Sequence, residues 1–468
     1  MSINTFYELL KTNAQRYPDN TAILYDTHAV TYAKLFADAC KKAIFLNQLE
    51  GKRIALVGPA SYRLIVNLFG AIIAGKDLVL MDSFLSEQER KILRSKVHPD
   101  YILSSTNQYI LTDATGTFLP DAPNDDAAQP TELDFNVSEG NILFFTSGTS
   151  ALAKCVVLTS RNLIFSTQQV AKTFHCTSED RLLSLLPLNH VFGLVYSILW
   201  PLGCGACVCI GRGIKHMDFD TIYYLPTILP AFPALLKNLL EMGALNEGLK
   251  TIIVGESFCP ASLFHALEAR HIDIYSVYGL TSTASGVAVA SKASDYNLVP
   301  FADVTITLAE DNEILIHSDG IMLGYDNQPE ATAEVLANGA LHSGDLGEFN
   351  DKGQLKIIGC KKDILALPNG EKLNCKEVED YLTANAAIEE AVITLVHGIT
   401  TAVLFAAPKS DLTQDLGDHI IQSYNKSKSY ARHIQQVILS EEPFPKTASG
   451  KPDRWKVSEA YNQKLLAQ

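Results

Sequence analysis

The sequence predicts an α/β protein. A large N-terminal domain of two α/β subdomains plus a small β subdomain is followed by a small, mobile α+β C-terminal domain. Three observations carry this expectation. Strand-like and helix-like periods alternate from residue 22 to residue 104, and alternate again from 141 to 276, which is the pattern of parallel α/β layers. From Val299 the pattern changes to short alternating strands with Gly and Asn-Asp turns. A chain of 468 residues, 47% apolar and 19% charged, has room for about three domain-sized units and the composition of a folded protein.

In order, Phe6 to Tyr17 and Tyr32 to Leu46 carry helical periodicity, with a short strand Ala22 to Tyr25 between them. Arg53 to Val57 reads as a strand, Tyr62 to Ala74 as an apolar helix, Asp77 to Met81 as a strand, Ser86 to Lys96 as a helix and Tyr101 to Ser104 as a strand. Ala114 to Glu139, rich in Pro, Asp, Asn and Gly, reads as a linker. The second run predicts helices over Ser160 to Thr173, Val195 to Leu199, Pro230 to Glu241 and Pro260 to Ala269. Its strands are Arg181 to Leu185, Ala206 to Ile210, Thr251 to Val254 and Asp273 to Ser276. After Lys362 come helix Lys376 to Ala384 and strands Ala391 to Val396 and Thr401 to Ala406. The expected boundary divides the chain into 1–361 and 362–468.

The formal net charge of −14 excludes a general binder of nucleic acid or of anionic membranes. Leu194 to Ile210, the most apolar window, is broken by Pro201 and two glycines, so it reads as core and no integral membrane segment is expected. The opening residues lack a basic stretch ahead of an apolar core, and a cytoplasmic protein is expected. Nine scattered cysteines, including Cys204, Cys207 and Cys209, lack a second metal-like pair and read as buried thiols; no metal-ligating residue is assigned.

Chemistry concentrates in one stretch, Asn141 to Thr159. An apolar run (Ile142 to Phe145) stops at Thr146, Ser147, Gly148, Thr149 and Ser150, and a second run, Val156 to Leu158, resumes after Lys154. Strand, small-residue loop, lysine and strand make a phosphate-binding hairpin: backbone N–H groups form an anion nest, hydroxyls donate and Lys154 adds charge. The Gly-Lys-Ser/Thr of a Walker loop is missing. Further on stand Tyr278-Gly-Leu-Thr281, Ser343-Gly-Asp345-Leu-Gly, Gly359-Cys-Lys-Lys362-Asp363 and Pro445-Lys-Thr-Ala-Ser-Gly-Lys451. An aromatic ring beside Gly279 offers a stacking face, and Asp345 between glycines offers a bidentate acceptor suited to a diol.

In that order and spacing, the blocks resemble those of the AMP-forming adenylating superfamily: acyl-CoA synthetases, amino-acid adenylation domains and luciferases. The resemblance spans essentially the whole chain and is nearest to fatty acyl-CoA synthetases. It implies an ATP-dependent acid–thiol ligase that makes an acyl-AMP, releases pyrophosphate and passes the acyl group to CoA or to the phosphopantetheine arm of a carrier protein. It implies that Tyr278 and Gly279 hold adenine, with Gly255, Glu256 and Ser257 lining the same pocket. It also implies that Asp345 holds the ribose, that residues 146–150 and Lys154 hold the phosphates, and that Lys362 is the hinge. Lys451, His190 and Thr281 are the catalytic candidates. Lys451 would stabilise two anions forced together, and Pro368 to Lys372 would line the thiol's path. His190, in Pro187-Leu-Asn-His-Val-Phe-Gly193, would stand at the mouth of an acyl pocket walled by Val191, Phe192 and the Val277 region. The block lacks the acid that pairs an amino group, so a plain carboxylate, fatty acyl or aryl, is the expected substrate.

Five positions depart from the superfamily's pattern. Ser282 replaces the glutamate that helps hold Mg²⁺, and a hydroxyl is a poorer ligand for that ion. Cys360 replaces an arginine, and Ala151, Ala153 and Cys155 replace Gly, Pro and Gly. Two alternatives to the working acid–thiol ligase therefore stay open. One is a slow or non-catalytic protein that binds nucleotide or acyl-AMP; the other is an amino-acid adenylation enzyme loading a carrier protein.

Overall fold

The computed structural model describes the chain apart from residues 1–2, 82–86, 106–108, 114, 120–132, 134, 147–153, 256–258, 260, 368–371, 427, 429, 447–451 and 465–468. Its elements start where the sequence supplies caps. Ser61 accepts from the Leu64 N–H to open helix Tyr62–Ile73, ten of whose twelve residues are buried. Thr159 and Asn162 form a capping box, so strand Cys155–Thr159 runs straight into helix Ser160–Thr173.

An eight-stranded sheet has Asn141–Phe145 between Cys155–Thr159 and Asp77–Met81, followed by Arg53–Val57, Tyr101–Ser105, Tyr109–Asp113 and Phe118–Leu119. The last two strands fall at the margin of the stretch read as linker. The second sheet has fourteen strands. From one edge run His28–Thr31, Thr21–Tyr25, Cys207–Ile210, Arg181–Ser184, Ile228–Ala231, Thr251–Val254 and Asp273–Tyr278. Its inner strands are parallel and buried on both faces, which is why they read as short apolar runs.

Four expectations change. Thr21–Tyr25 leaves the first α/β run and pairs in parallel with Cys207–Ile210 at the edge of the second sheet. The helix expected from Pro230 starts at Pro233, because Ile228–Ala231 is a buried strand; Pro at the first helical position fits the later start. The short β strands after Val299 are not a separate sheet. They extend the second sheet through one register pair, Leu298↔Leu355. The helix expected at Val195 is longer. Val191–Leu194, a π-turn over Val195–Leu199 and Trp200–Cys204 run end to end, closed by Gly205 at φ 81°.

Past Cys360 the chain builds its own layer. A three-stranded sheet, Ile388–Val396, Ile399–Ala406 and Gln436–Ser440, packs against helices Cys375–Thr383, Gln414–Asn425 and Arg454–Lys464. The apolar clusters respect the same division: three draw on residues 6–355 and two on residues 367–457 with their flanks. All nine cysteines are free thiols. Among the described residues no helix is long and apolar enough to cross a membrane.

Candidate active site

The hydroxyl-rich stretch is a hairpin. Asn141–Phe145 and Cys155–Thr159 pair antiparallel from Asn141↔Thr159 to Phe145↔Cys155. One further rung closes its neck, where Thr146 N–H donates to Lys154 O at 2.9 Å and Lys154 N–H donates to Thr146 Oγ1 at 3.1 Å. The Lys154 ammonium stands 4.6 Å from the centre of the Tyr325 ring. Ser147, Gly148, Thr149 and Ser150 lie outside the described residues. Cys155 sits in extended backbone as the ladder partner of Phe145, so a side chain there costs no strain.

Beside the hairpin neck is a cavity of about 190 Å³. Phe144, Phe145, Val191, Phe192, Val277 and Leu280 give it apolar walls; Asn189, His190, Thr281 and Ser285 give it a polar side. His190 caps the helical segment that starts at Val191, and its backbone carbonyl accepts from the Leu194 N–H at 3.0 Å. Gly279 is required by a close approach: a Cβ there would lie 2.4 Å from the Ser285 carbonyl oxygen. The chain after Gly279 folds back through a 3₁₀ turn, Thr281–Thr283, with Ala284 and Ser285 left-handed, and Val287 N–H returns to Tyr278 O. This turn aims Thr281 into the cavity. Ser282 lies in the same turn, nearly buried.

Tyr278 is the last residue of its strand rather than the first beyond it. Its hydroxyl donates to Asp345 Oδ2 at 2.8 Å. Burial, the Asp345 charge and this hydrogen bond push the phenol well above its ordinary range. Asp345 lies on strand Ala340–Phe349 opposite Cys360, and the Cys360 Sγ is 3.2 Å from Gly344 O. Gly255 does not line the cavity. It stands behind it, where a Cβ would meet the Phe192 ring at 2.6 Å. Glu256 and Ser257 are outside the described residues.

Lys362 lies in the short turn Lys361–Asp363 at the end of strand Leu355–Cys360; its side chain is outside the described residues, as is Lys451. The base of the Lys451 loop is described. Lys446 bridges to Pro452, Asp453 N–H donates to Pro445 O at 2.7 Å, and Lys446 pairs with Glu390. Arg454 then reaches Asp363 at 2.6 Å and Glu379 at 2.8 Å, fastening that base to the Lys361–Asp363 turn. Arg454, Glu379, Asn189 and Ser285 went unassigned from sequence. Only Arg454 carried a local signal, standing three residues after Lys451.

Among the described residues no three His, Cys, Asp or Glu side chains converge as a metal site. The donors at Thr281 and Ser282 are hydroxyls, which do not build a cage for Mg²⁺; the phosphates of ATP and water would supply most of its ligands.

A family model described as "AMP-binding enzyme" matches residues 10–326. The chain is 24% identical to the long-chain-fatty-acid–CoA ligase of Bacillus subtilis, with 96% of this chain and 93% of that one aligned. The fold is similar to the o-succinylbenzoate CoA synthetase of Bacillus subtilis. The TM-score is 0.80, at 21% identity over 96% of this chain and 97% of that one, for the form solved with the acyl-adenylate intermediate. For the form with ATP and magnesium ion it is 0.81, at 22% identity over 96% and 98%.

Proposed function

The chain belongs to the AMP-binding enzyme family, and we propose that it is an AMP-forming acid–CoA ligase acting on a small apolar carboxylic acid. One observation carries the reading: a cavity, apolar on one side and polar on the other, lies against the hairpin neck at Phe145 and takes Val277 and Gly279, the chain neighbours of Tyr278, into its wall, while Tyr278 holds Asp345. An apolar acid would fill the Phe145–Phe192–Val277 side and turn its carboxylate toward His190 and Thr281. Asp345 would accept from the ribose hydroxyls, the Tyr278 ring would face the base, and the hairpin N–H groups with Lys154 would hold the phosphates.

A carboxylate oxygen then attacks the α-phosphorus in line, the bond to the leaving pyrophosphate breaks, and acyl-AMP forms. Both reactants are anions, so the step needs cations at the phosphoryl oxygens. Lys154 and Lys451 fill that role. The lid, residues 362–468, turns about Lys362, and the CoA thiolate attacks the acyl carbon. AMP leaves with the carbon–oxygen bond pair, and the thiol's proton passes to solvent. Acyl-AMP is an activated anhydride, so the closed cleft must exclude water. CoA is favoured over a carrier-protein arm because the relatives above are named CoA ligases.

Size narrows the acid. A cavity of ~150 Å³ holds benzene, so about 190 Å³ suits one aromatic ring or a short chain better than a long fatty acid. The test is pyrophosphate release from ATP across acetate, short, medium and long fatty acids, aryl acids and amino acids, with acyl-CoA identified by mass. Aryl or short-chain acids should lead. A long-chain optimum contradicts the size argument. No pyrophosphate release with any of these acids, while AMP still binds, favours a nucleotide-binding protein, and product only with a carrier protein displaces CoA.

A further inference from the structure

Glu313 opens strand Glu313–His317 as a carboxylate only 5% exposed, and the scheme above gives it no part. Its partners surround the turn that carries Asp345. Oε1 accepts from the Gly344 N–H at 2.9 Å, while Oε2 lies 2.8 Å from His342 Nδ1 and 2.7 Å from Lys361 Nζ. The ladder between these strands slips here: Leu315 pairs with His342 but Glu313 with Leu346. The segment Ser343 to Asp345 therefore bulges on the side facing Glu313, while Asp345 still pairs with Cys360, with Gly344 at φ 77°. A bulge frees backbone groups from the ladder, and Glu313 takes up the Gly344 N–H.

The same carboxylate reaches the pivot. Lys361, one residue before Lys362, bonds Glu313 and also pairs with Asp311 at 2.8 Å. Neighbouring Cys360, where the superfamily pattern has arginine, offers Gly344 O only a thiol. A thiol is a weak donor, so the charged hydrogen bonds of Glu313 join the Ser343 hydroxyl, which accepts from the Asp345 N–H at 3.0 Å, and the Tyr278 hydroxyl in holding this turn.

We propose that Glu313 is a positioning residue: it fixes the bulged turn so that Asp345 meets the ribose, and through Lys361 it anchors the chain on the large-domain side of the pivot. This rests on the assignment of Asp345 to the nucleotide. Glu313 touches no reactant and acts through Asp345, so its effect must vanish when Asp345 is absent.

AMP binding by the full chain, followed by calorimetry, tests this without knowledge of the acid. Glu313→Gln should weaken AMP binding about ten-fold and Lys361→Met about three-fold, while neither weakens it further in an Asp345→Ala background. Affinity within about two-fold of wild type in Glu313→Gln, or an equal loss in both backgrounds, overturns the proposal, the second outcome marking general loosening. Where Glu313→Gln does not fold, Lys361→Met, with a half-exposed side chain, carries the same comparison. A wild-type protein that binds no AMP overturns the nucleotide assignment and this inference together. Binding that is lost in Asp345→Ala but indifferent to both Glu313 and Lys361 overturns this inference alone.

Discussion

At the scale of the residue, Tyr278 joins two roles that the sequence could only place side by side. Its ring lies in the strand end beside the cavity, and its hydroxyl holds the carboxylate of Asp345, sixty-seven positions on. Tyr278→Phe keeps the ring and loses the donor. A hydrogen bond to a charged group contributes about 1.5–3 kcal/mol, so this variant should bind AMP at least about ten-fold more weakly. Tyr278→Leu should lose a further ~1–3 kcal/mol of stacking; equal affinity of the two variants would mean that the ring meets no base. Tyr278, Gly279, Thr281 and Asp345 were legible because each stands in a short block with its own chemistry. Glu313 was not, since a buried ion pair leaves no mark on local periodicity.

The Glu313–Lys361 pair makes a prediction in pH. Burial alone would raise the Glu313 carboxyl, but hydrogen bonds from Lys361, His342 and the Gly344 N–H hold it below its ordinary 4.5. Burial alone would lower the Lys361 ammonium, but Asp311 and Glu313 hold it above its ordinary 10.5. A depressed carboxylate stabilises the fold above the unfolded value and loses that contribution as pH falls through the folded one. A raised ammonium contributes below its unfolded value and loses that as pH rises through the folded one. The stability gap between wild type and Glu313→Gln should therefore be flat near neutrality and narrow below about pH 4.5. Denaturant midpoints measured across pH check it; a gap unchanged in acid contradicts it.

At the scale of the element, the hairpin and the lid loop are both short loops on stiff bases. Helix and strand starts were largely legible, because caps and apolar periods are local. The helix expected from Pro230 takes in the second half of strand Ile228–Ala231, since a buried four-residue apolar run reads the same in either period. Arg454 shows what such a base needs. Its guanidinium, held above its ordinary range mainly by Glu379 and Asp363 against the effect of burial, ties the Lys361–Asp363 turn to the start of helix Arg454–Lys464. Arg454→Met leaves two partly buried carboxylates facing each other. A loss of about 3 kcal/mol is expected, read as a lowered thermal midpoint, with a loss under about 1 kcal/mol contradicting the role.

At the scale of the whole molecule, the sequence marked the change of pattern near residue 299 but not its meaning. Strand order depends on pairings between distant segments, so neither the Leu298↔Leu355 junction nor the crossing of Thr21–Tyr25 could be read locally. The placement of apolar clusters on either side of Cys360 agrees with a lid that moves as one body. Lys451→Ala should then abolish adenylation, by at least ~100-fold in pyrophosphate release, while thioester formation from supplied acyl-AMP stays near wild type. Equal loss of both steps contradicts a two-position lid.

The most direct measurement mixes enzyme, ATP and an accepted acid without CoA in a single turnover. Acyl-adenylate and pyrophosphate should appear in equal amounts, bound adenylate should persist, and added CoA should convert it to acyl-CoA and AMP. Acyl-CoA formed with no adenylate preceding it, or ADP and phosphate in place of AMP and pyrophosphate, would contradict the account.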